Sequence, residues 1–121
     1  RDFTYVTDIV SALMTAADSK VSGEIFNVGS GGTYSVNQLV SLIGGPTTNI
    51  PKRPGEPNST FADISKIQKV LRWAPKVKFE DGVRELLRSI ENWKDAPVWT
   101  PDKIEEATQD WFKYLGKSPN G

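Results

Sequence analysis

Between positions 51 and 58 the chain reads Pro51-Lys52-Arg53-Pro54-Gly55-Glu56-Pro57-Asn58. Three prolines and a glycine in eight residues leave no room for a regular element, because each proline fixes φ and lacks the amide that a helix or ladder needs. Residues 51–58 must therefore form an irregular loop. Shortly before it, Gly44-Gly45-Pro46 stops any helix that precedes. The fold has to be assembled from short elements on either side of this stiff stretch, and 121 residues suffice for one core but not for two full domains.

Periodicity supplies those elements. Residues 1–6, Arg-Asp-Phe-Thr-Tyr-Val, alternate polar and apolar types and predict a short strand, with Asp8 placed to cap a helix over about residues 9–18. That helix carries Ile9, Val10, Leu13, Met14, Ala16 and Ala17 as an apolar face. Residues 24–28 predict a second strand, closed by a turn at Gly29-Ser30-Gly31-Gly32. Ser35-Val36-Asn37-Gln38 has the form of a capping box ahead of Leu39, Val40, Leu42 and Ile43. Residues 47–50 suit a third strand. Beyond the loop, Asp63 reads as the cap of a helix with Ile64, Ile67, Val70 and Leu71 inward, which ends near Pro75. Residues 80–94 predict a helix with Val83, Leu86, Leu87, Ile90 and Trp93 inward, and Thr100-Pro101 opens a last one with a stripe from Ile104 to Leu115. Residues 117–121 are expected to fray. Asp8 and Asp63 are thus read as caps rather than catalytic carboxylates, and Trp73, Trp93, Trp99 and Trp111 as core and helix-packing residues.

Composition narrows the chemistry. The chain has neither Cys nor His, which removes disulfides, thiolates, imidazole bases and most zinc sites. Fifteen basic and fifteen acidic residues cancel, so there is no net field to draw nucleic acid or an anionic membrane, and any anion site must be local. No apolar run reaches the roughly 18 residues that a bilayer span needs, so a soluble, cytoplasmic protein is expected. Hydrophobic residues make up only 37%, and some apolar surface is expected to meet a partner. The chain opens on Arg1-Asp2-Phe3 with no initiator Met and reads as a piece of something longer.

Three ordered segments carry a resemblance. They are Arg1-Asp2-Phe3-Thr4-Tyr5-Val6-Thr7-Asp8; Phe26-Asn27-Val28-Gly29-Ser30-Gly31, running through Thr33 and Ser35-Val36 into a helix; and Arg53-Pro54-Gly55-Glu56, followed by Ala62-Asp63-Ile64-Ser65-Lys66 and Leu71-Arg72-Trp73-Ala74-Pro75. Together, over about residues 1–90, they resemble the extended short-chain dehydrogenases/reductases that act on nucleotide sugars, the NAD-dependent epimerases and dehydratases related to UDP-glucose 4-epimerase. The resemblance implies an α/β protein of α+β-like character, mostly helical with a few short strands. It would be the smaller, substrate-binding domain without the Rossmann domain, with residues 1–95 as that domain and 96–121 as its helical extension. The family's Gly-rich dinucleotide loop and Tyr-x-x-x-Lys lie upstream of this region, and neither Tyr5, Tyr34 nor Tyr114 has Lys four residues on. NAD would therefore belong to the full-length parent, with none bound by this chain alone and no catalytic or metal-binding residue within it.

The same resemblance assigns the substrate side. Arg1 and Arg53 match arginines that clamp the diphosphate, a task suited to planar guanidinium groups that can hold two oxygens at once. Glu56 stands where many relatives carry Asp and would accept hydrogen bonds from ribose hydroxyls. Phe3 is either core or a nucleotide contact, and Val36 either core or an apolar contact to base or ribose. The glycines at 29, 31 and 32 are a structural turn, since no P-loop Lys-Ser/Thr follows them. The implied ligand is a UDP- or dTDP-sugar. The implied partners are the missing NAD-binding domain and, because relatives are commonly dimers, a homo-oligomer; nucleic acid and membrane are not among them. A 4-epimerase is the first reading of the parent, with 4,6-dehydratase or decarboxylase second. The alternative is a non-catalytic, stand-alone nucleotide- or protein-binding module derived from that family.

Overall fold

A computed structural model describes residues 1–116. The chain runs through α1 (Val6–Ala17), α2 (Val36–Ile43), α3 (Ser65–Leu71), α4 (Phe79–Arg88), a 3-10 turn (Ile90–Trp93) and α5 (Pro101–Leu115). The expected fraying of residues 117–121 lies outside the described residues.

Helix starts that depend only on neighbouring residues fall where the sequence puts them. Ser35 accepts from the Gln38 amide while the Gln38 side chain accepts from the Ser35 amide, a complete capping box. Thr100 accepts from the Lys103 amide, with Pro101 as the first residue of α5. Gly44, at φ 77°, ends α2 in the left-handed region that favours glycine. The helix predicted over 80–94 is broken instead: α4 stops at Arg88 and the chain tightens into the 3-10 turn.

Among the described residues no segment forms a β-ladder, which corrects the strands expected at 1–6, 24–28 and 47–50 and with them the α/β reading. A strand exists only through bonds to a neighbouring strand, and here there is one rung. The Arg1 and Tyr34 backbones exchange both bonds, at 2.6 and 2.9 Å. Residues 24–28 use their side chains instead: Phe26 and Val28 pack on the core, and the Asn27 amide donates to the Asp63 carbonyl at 3.4 Å.

That core is small. Ala12, Ile64, Ile67, Leu71 and Trp73 form it, with Ala16, Phe26, Val28 and Ala62 packed around. Trp73 enters immediately after Arg72, whose φ of 56° turns the chain out of α3, and its indole N–H donates to the Ser11 hydroxyl at 2.8 Å. A second layer joins α2 to α4, where Leu39, Phe79, Val83 and Leu86 face one cleft. Several residues expected inward are exposed: Val10, Leu13 and Met14 on α1, Val70 on α3, Leu86, Ile90 and Trp93 around α4, and Trp99, Trp111 and Leu115 near the end. Apolar periodicity identifies a face that can be buried; it does not supply the element that buries it.

Two aspartates hold the irregular parts. Asp8 is not a cap. It sits in the first turn of α1, which begins three residues earlier than expected, and is 3% exposed. Its two carboxylate oxygens accept from the Lys76 and Val77 amides at 3.1 and 3.0 Å, which pins the segment after Pro75 to α1. Asp63, expected as the cap, lies one residue outside the observed cap position, because Ile64 is the residue that flanks α3. Its carboxylate accepts from the Ser65 amide at 2.9 Å, closing an Asx turn.

Asp2 is the second anchor. One oxygen accepts from the Ser30 amide (2.8 Å), the Ser30 hydroxyl (2.6 Å) and the Thr4 hydroxyl (3.2 Å); the other accepts from the Ala62 amide (3.1 Å). Burial by itself would raise this carboxyl's pKa. The Ser30 hydroxyl and amide, the Ala62 amide and the Thr4 hydroxyl together outweigh that and hold it below the ordinary value. Gly29 makes the approach achievable: a Cβ there would lie 2.5 Å from the Asp2 Oδ2 and 2.6 Å from the Ala62 Cβ. The turn read from this glycine run is thus also a close-packing site.

Two predictions follow from these anchors. Asp8→Ala leaves two amides without their acceptor in a buried place and should cost about 2–3 kcal/mol, read as a lower urea midpoint with an unchanged slope. Because the folded pKa of Asp2 is lowered, its contribution to stability is present above roughly pH 5 and is lost as pH falls through the lowered value. Asp2→Asn should accordingly reduce stability at neutral pH and flatten the acid limb of the stability–pH curve; an unchanged acid limb would refute this role.

Candidate functional site

Asp2 fixes the residues on either side of it, and Arg1 is carried to the 51–58 loop. The Arg1 Nη2 donates to the Glu56 Oε1 at 2.8 Å, and its Nη1 donates to the Pro57 carbonyl. The Asp2 amide meets the Thr60 hydroxyl at 3.3 Å, so the first residues run alongside residues 56–60. From within the loop, Arg53 donates from Nη2 to the same Glu56 Oε1 at 3.3 Å and from Nε to Oε2 at 3.4 Å. Gly55, at φ 73°, provides the reversal that brings residues 53 and 56 together, and the Glu56 amide donates to the Arg53 carbonyl at 3.4 Å.

The result is a cluster of two guanidinium groups around one carboxylate, with all three side chains half-buried (28%, 40% and 32% exposed). The Arg1 hydrogen bond lowers the Glu56 carboxyl's pKa; burial opposes it and the charge of Arg53 adds to it, and the carboxyl lies below its ordinary value. Two cations to one anion leave the cluster with a net positive charge, suited to a further anionic group. Glu56 takes only two of the five N–H donors that a guanidinium offers from Arg53, and at 3.3–3.4 Å these bonds are long enough to yield to a better acceptor.

The structure thus brings together three of the five residues singled out in the sequence: Arg1, Arg53 and Glu56. It places the other two elsewhere. Phe3 stacks on Phe79 (centroids 5.4 Å apart), and Phe79 stacks in turn on Tyr34 (4.2 Å), forming an aromatic ladder against the α2–α4 layer. Val36 opens α2 and is 56% exposed. Sequence reasoning missed Asp2, although it sits between two motif residues, because its partners at 30 and 62 are remote in the chain. It also missed Trp111, whose ring lies 5.4 Å from the Arg53 guanidinium carbon and whose place on the apolar stripe of α5 gave no hint of a cation.

The residues present do not fit a dinucleotide cofactor. The loop at 29–32 is the one glycine-rich stretch of a length to cradle phosphate, and the Asp2 carboxylate occupies its Ser30 amide and hydroxyl. A fixed internal anion there repels a second one. Among the described residues no helix is long and apolar enough to cross a membrane.

Comparison with known proteins gives a consistent result. A family model described as GDP-mannose 4,6 dehydratase matches residues 1–86. UDP-glucuronate 4-epimerase from Thermodesulfobacterium geofontis is 35% identical over 101 residues, covering 77% of this chain and 29% of the relative. UDP-N-acetyl-alpha-D-glucosaminuronate decarboxylase from Bacillus cytotoxicus is 32% identical over 107 residues, covering 76% of this chain and 33% of the relative. UDP-glucose 4-epimerase from Corynebacterium glutamicum is 34% identical over 84 residues, 63% of this chain and 26% of the relative. The chain therefore spans about a third or less of the length of the curated relatives it matches. No solved structure gives a significant match. The matched region contains the Arg1 segment, the glycine loop and the arginine loop in one unbroken stretch, and the chain belongs to the extended short-chain dehydrogenase/reductase family of nucleotide-sugar epimerases and dehydratases.

Proposed function

We propose that this chain holds the diphosphate of a nucleotide sugar between Arg1 and Arg53, supplying the substrate clamp of an epimerase or dehydratase whose hydride transfer is carried out by residues outside these 121. The observation that carries the proposal is the convergence of two guanidinium groups, 52 positions apart in sequence, on the single oxygen Glu56 Oε1. A point that accepts hydrogen bonds from two cations is a place where a phosphate oxygen is stabilised equally well, and a diphosphate can engage each guanidinium through two oxygens.

Glu56 has two parts in this reading. Without ligand it neutralises one of the arginines and keeps both from spreading into solvent. With ligand bound it gives up its longer bonds to Arg53 and is free to accept from the ribose hydroxyls next to the diphosphate. Phe3 and Val36 lie along the α2 side and are proposed as apolar contacts to the nucleoside. The relatives named for UDP-sugars and one named for a dTDP-sugar make a pyrimidine nucleotide the proposed carrier. Binding energy gathered at this remote diphosphate would position the reacting sugar carbon. A 4-epimerase is the first assignment for the whole enzyme, with NAD as its cofactor, and a 4,6-dehydratase or decarboxylase the second.

Titration of the chain with UDP, followed by NMR, tests the clamp. Arg53→Ala removes a charge-assisted pair worth about 1.5–3 kcal/mol, so affinity should fall roughly 10- to 100-fold. Arg53→Lys should recover only part of it, because an ammonium cannot make the bidentate contact. Equal UDP binding by the wild type and Arg53→Ala would show that the clamp is assigned to the wrong residue.

A further inference from the structure

The family match stops at residue 86, yet α5, at the far end of the chain, reaches back to the arginine loop. Trp111 makes two separate contacts there. Its ring lies under the Arg53 guanidinium, 5.4 Å from ring centroid to guanidinium carbon, and its indole N–H donates to the Pro54 carbonyl at 2.7 Å. One turn later on the same helix face, Leu115 approaches Gly55: its Cδ1 is 3.9 Å from where a Cβ would stand. The three consecutive residues 53, 54 and 55 are thus each met by α5. The first half of the helix borders, with Ile50, Arg53 and Trp99, a cleft of about 290 Å³ into which Ile104, Ala107 and Thr108 face.

We infer that α5 is a strap across the arginine loop and that Trp111 is a positioning residue, aiming the Arg53 guanidinium at a nucleoside diphosphate without touching that ligand itself. The inference rests on the proposed diphosphate clamp. A free arginine side chain samples many rotamers, and ordering it on binding costs affinity. A guanidinium resting on an indole face is held flat while its N–H edges stay available. Proline at 54 stiffens the backbone at the same point, and its carbonyl, which no helix or ladder would otherwise use, is taken by the indole. A tryptophan can make both contacts at once; phenylalanine keeps the face and loses the N–H; leucine loses both.

The test compares wild type, Trp111→Phe, Trp111→Leu and Arg53→Ala as full chains. The readouts are the Arg53 Nε–Hε resonance, the dissociation constant for UDP, and circular dichroism as a control for α5. The expected result is a ring-current-shifted Arg53 resonance in the wild type. Trp111→Phe should keep most of that shift, and Trp111→Leu should move it to the position of the exposed Arg84 and Arg88. UDP affinity should be roughly two- to fivefold weaker in Trp111→Leu than in wild type, the range of an exposed cation–π contact, with Trp111→Phe between them. An Arg53 resonance unmoved by Trp111→Leu overturns the strap, as does UDP affinity that falls with Arg53→Ala but not with Trp111→Leu. If the resonance moves as expected while Arg53→Ala leaves UDP affinity unchanged, the diphosphate reading fails and the positioning of Arg53 by Trp111 stands. Should Trp111→Leu lose α5 helicity, Trp111→Phe decides: a resonance that keeps its shift supports the inference, and one indistinguishable from the exposed arginines refutes it.

Discussion

The Asp2 carboxylate accepts four hydrogen bonds, from the Ser30 amide and hydroxyl, the Thr4 hydroxyl and the Ala62 amide. It thereby joins three stretches of chain that share no ladder. With so few strand-to-strand bonds, side-chain acceptors take over the task that a sheet performs in other folds, satisfying extended backbone amides and fixing register. The position of Arg1 is a consequence: its neighbour is anchored from both sides, so its guanidinium is delivered to Glu56. Asp8, six residues later, does the same work, holding the chain after Pro75 against α1. Two carboxylates thus hold the irregular segments in place, and one of them, Asp2, adjoins the arginine of the charged cluster.

The apolar part of the structure shows a different balance. The core gathers around Ile67, 1% exposed, and Ala12, 2% exposed, while Val10, Leu13 and Met14 of α1 face outward. A chain with 37% hydrophobic residues can still leave much of that area uncovered when its elements are short and its loops stiff, because buried area depends on how many elements stack and not on composition alone. The described residues accordingly resemble a scaffold that displays loops more than one that encloses a large core.

Arg53 sits where these two features meet. It belongs to a proline-stiffened loop, pairs with a carboxylate that it shares with Arg1, and rests on an indole from α5. Each contact is modest by itself, since half-exposed ion pairs and cation–π contacts contribute on the order of 1 kcal/mol. Their combined effect is on orientation: they restrict one flexible side chain from three directions, and a preorganised donor loses less entropy when a ligand arrives.

What the sequence determined by itself is what neighbouring residues decide among themselves. The capping box at Ser35, the Thr100-Pro101 helix start, the stop at Gly44 and the irregular course of residues 51–58 all follow from interactions spanning a few positions. The motif pattern likewise carries the family. Tertiary structure decided the rest. The segments at 24–28 and 47–50 have strand-like composition but no neighbour to pair with. Asp8 reads as a cap until Lys76 and Val77 are placed beside it. The aromatic Phe3 joins a stack with Phe79 and Tyr34, and Trp111, one more residue of an apolar stripe, becomes the support of an arginine 58 positions away. A backbone acceptor, a pairing strand or a ring face does its work only when the fold brings a partner within a few ångströms, and chain-local pattern carries no information about that approach.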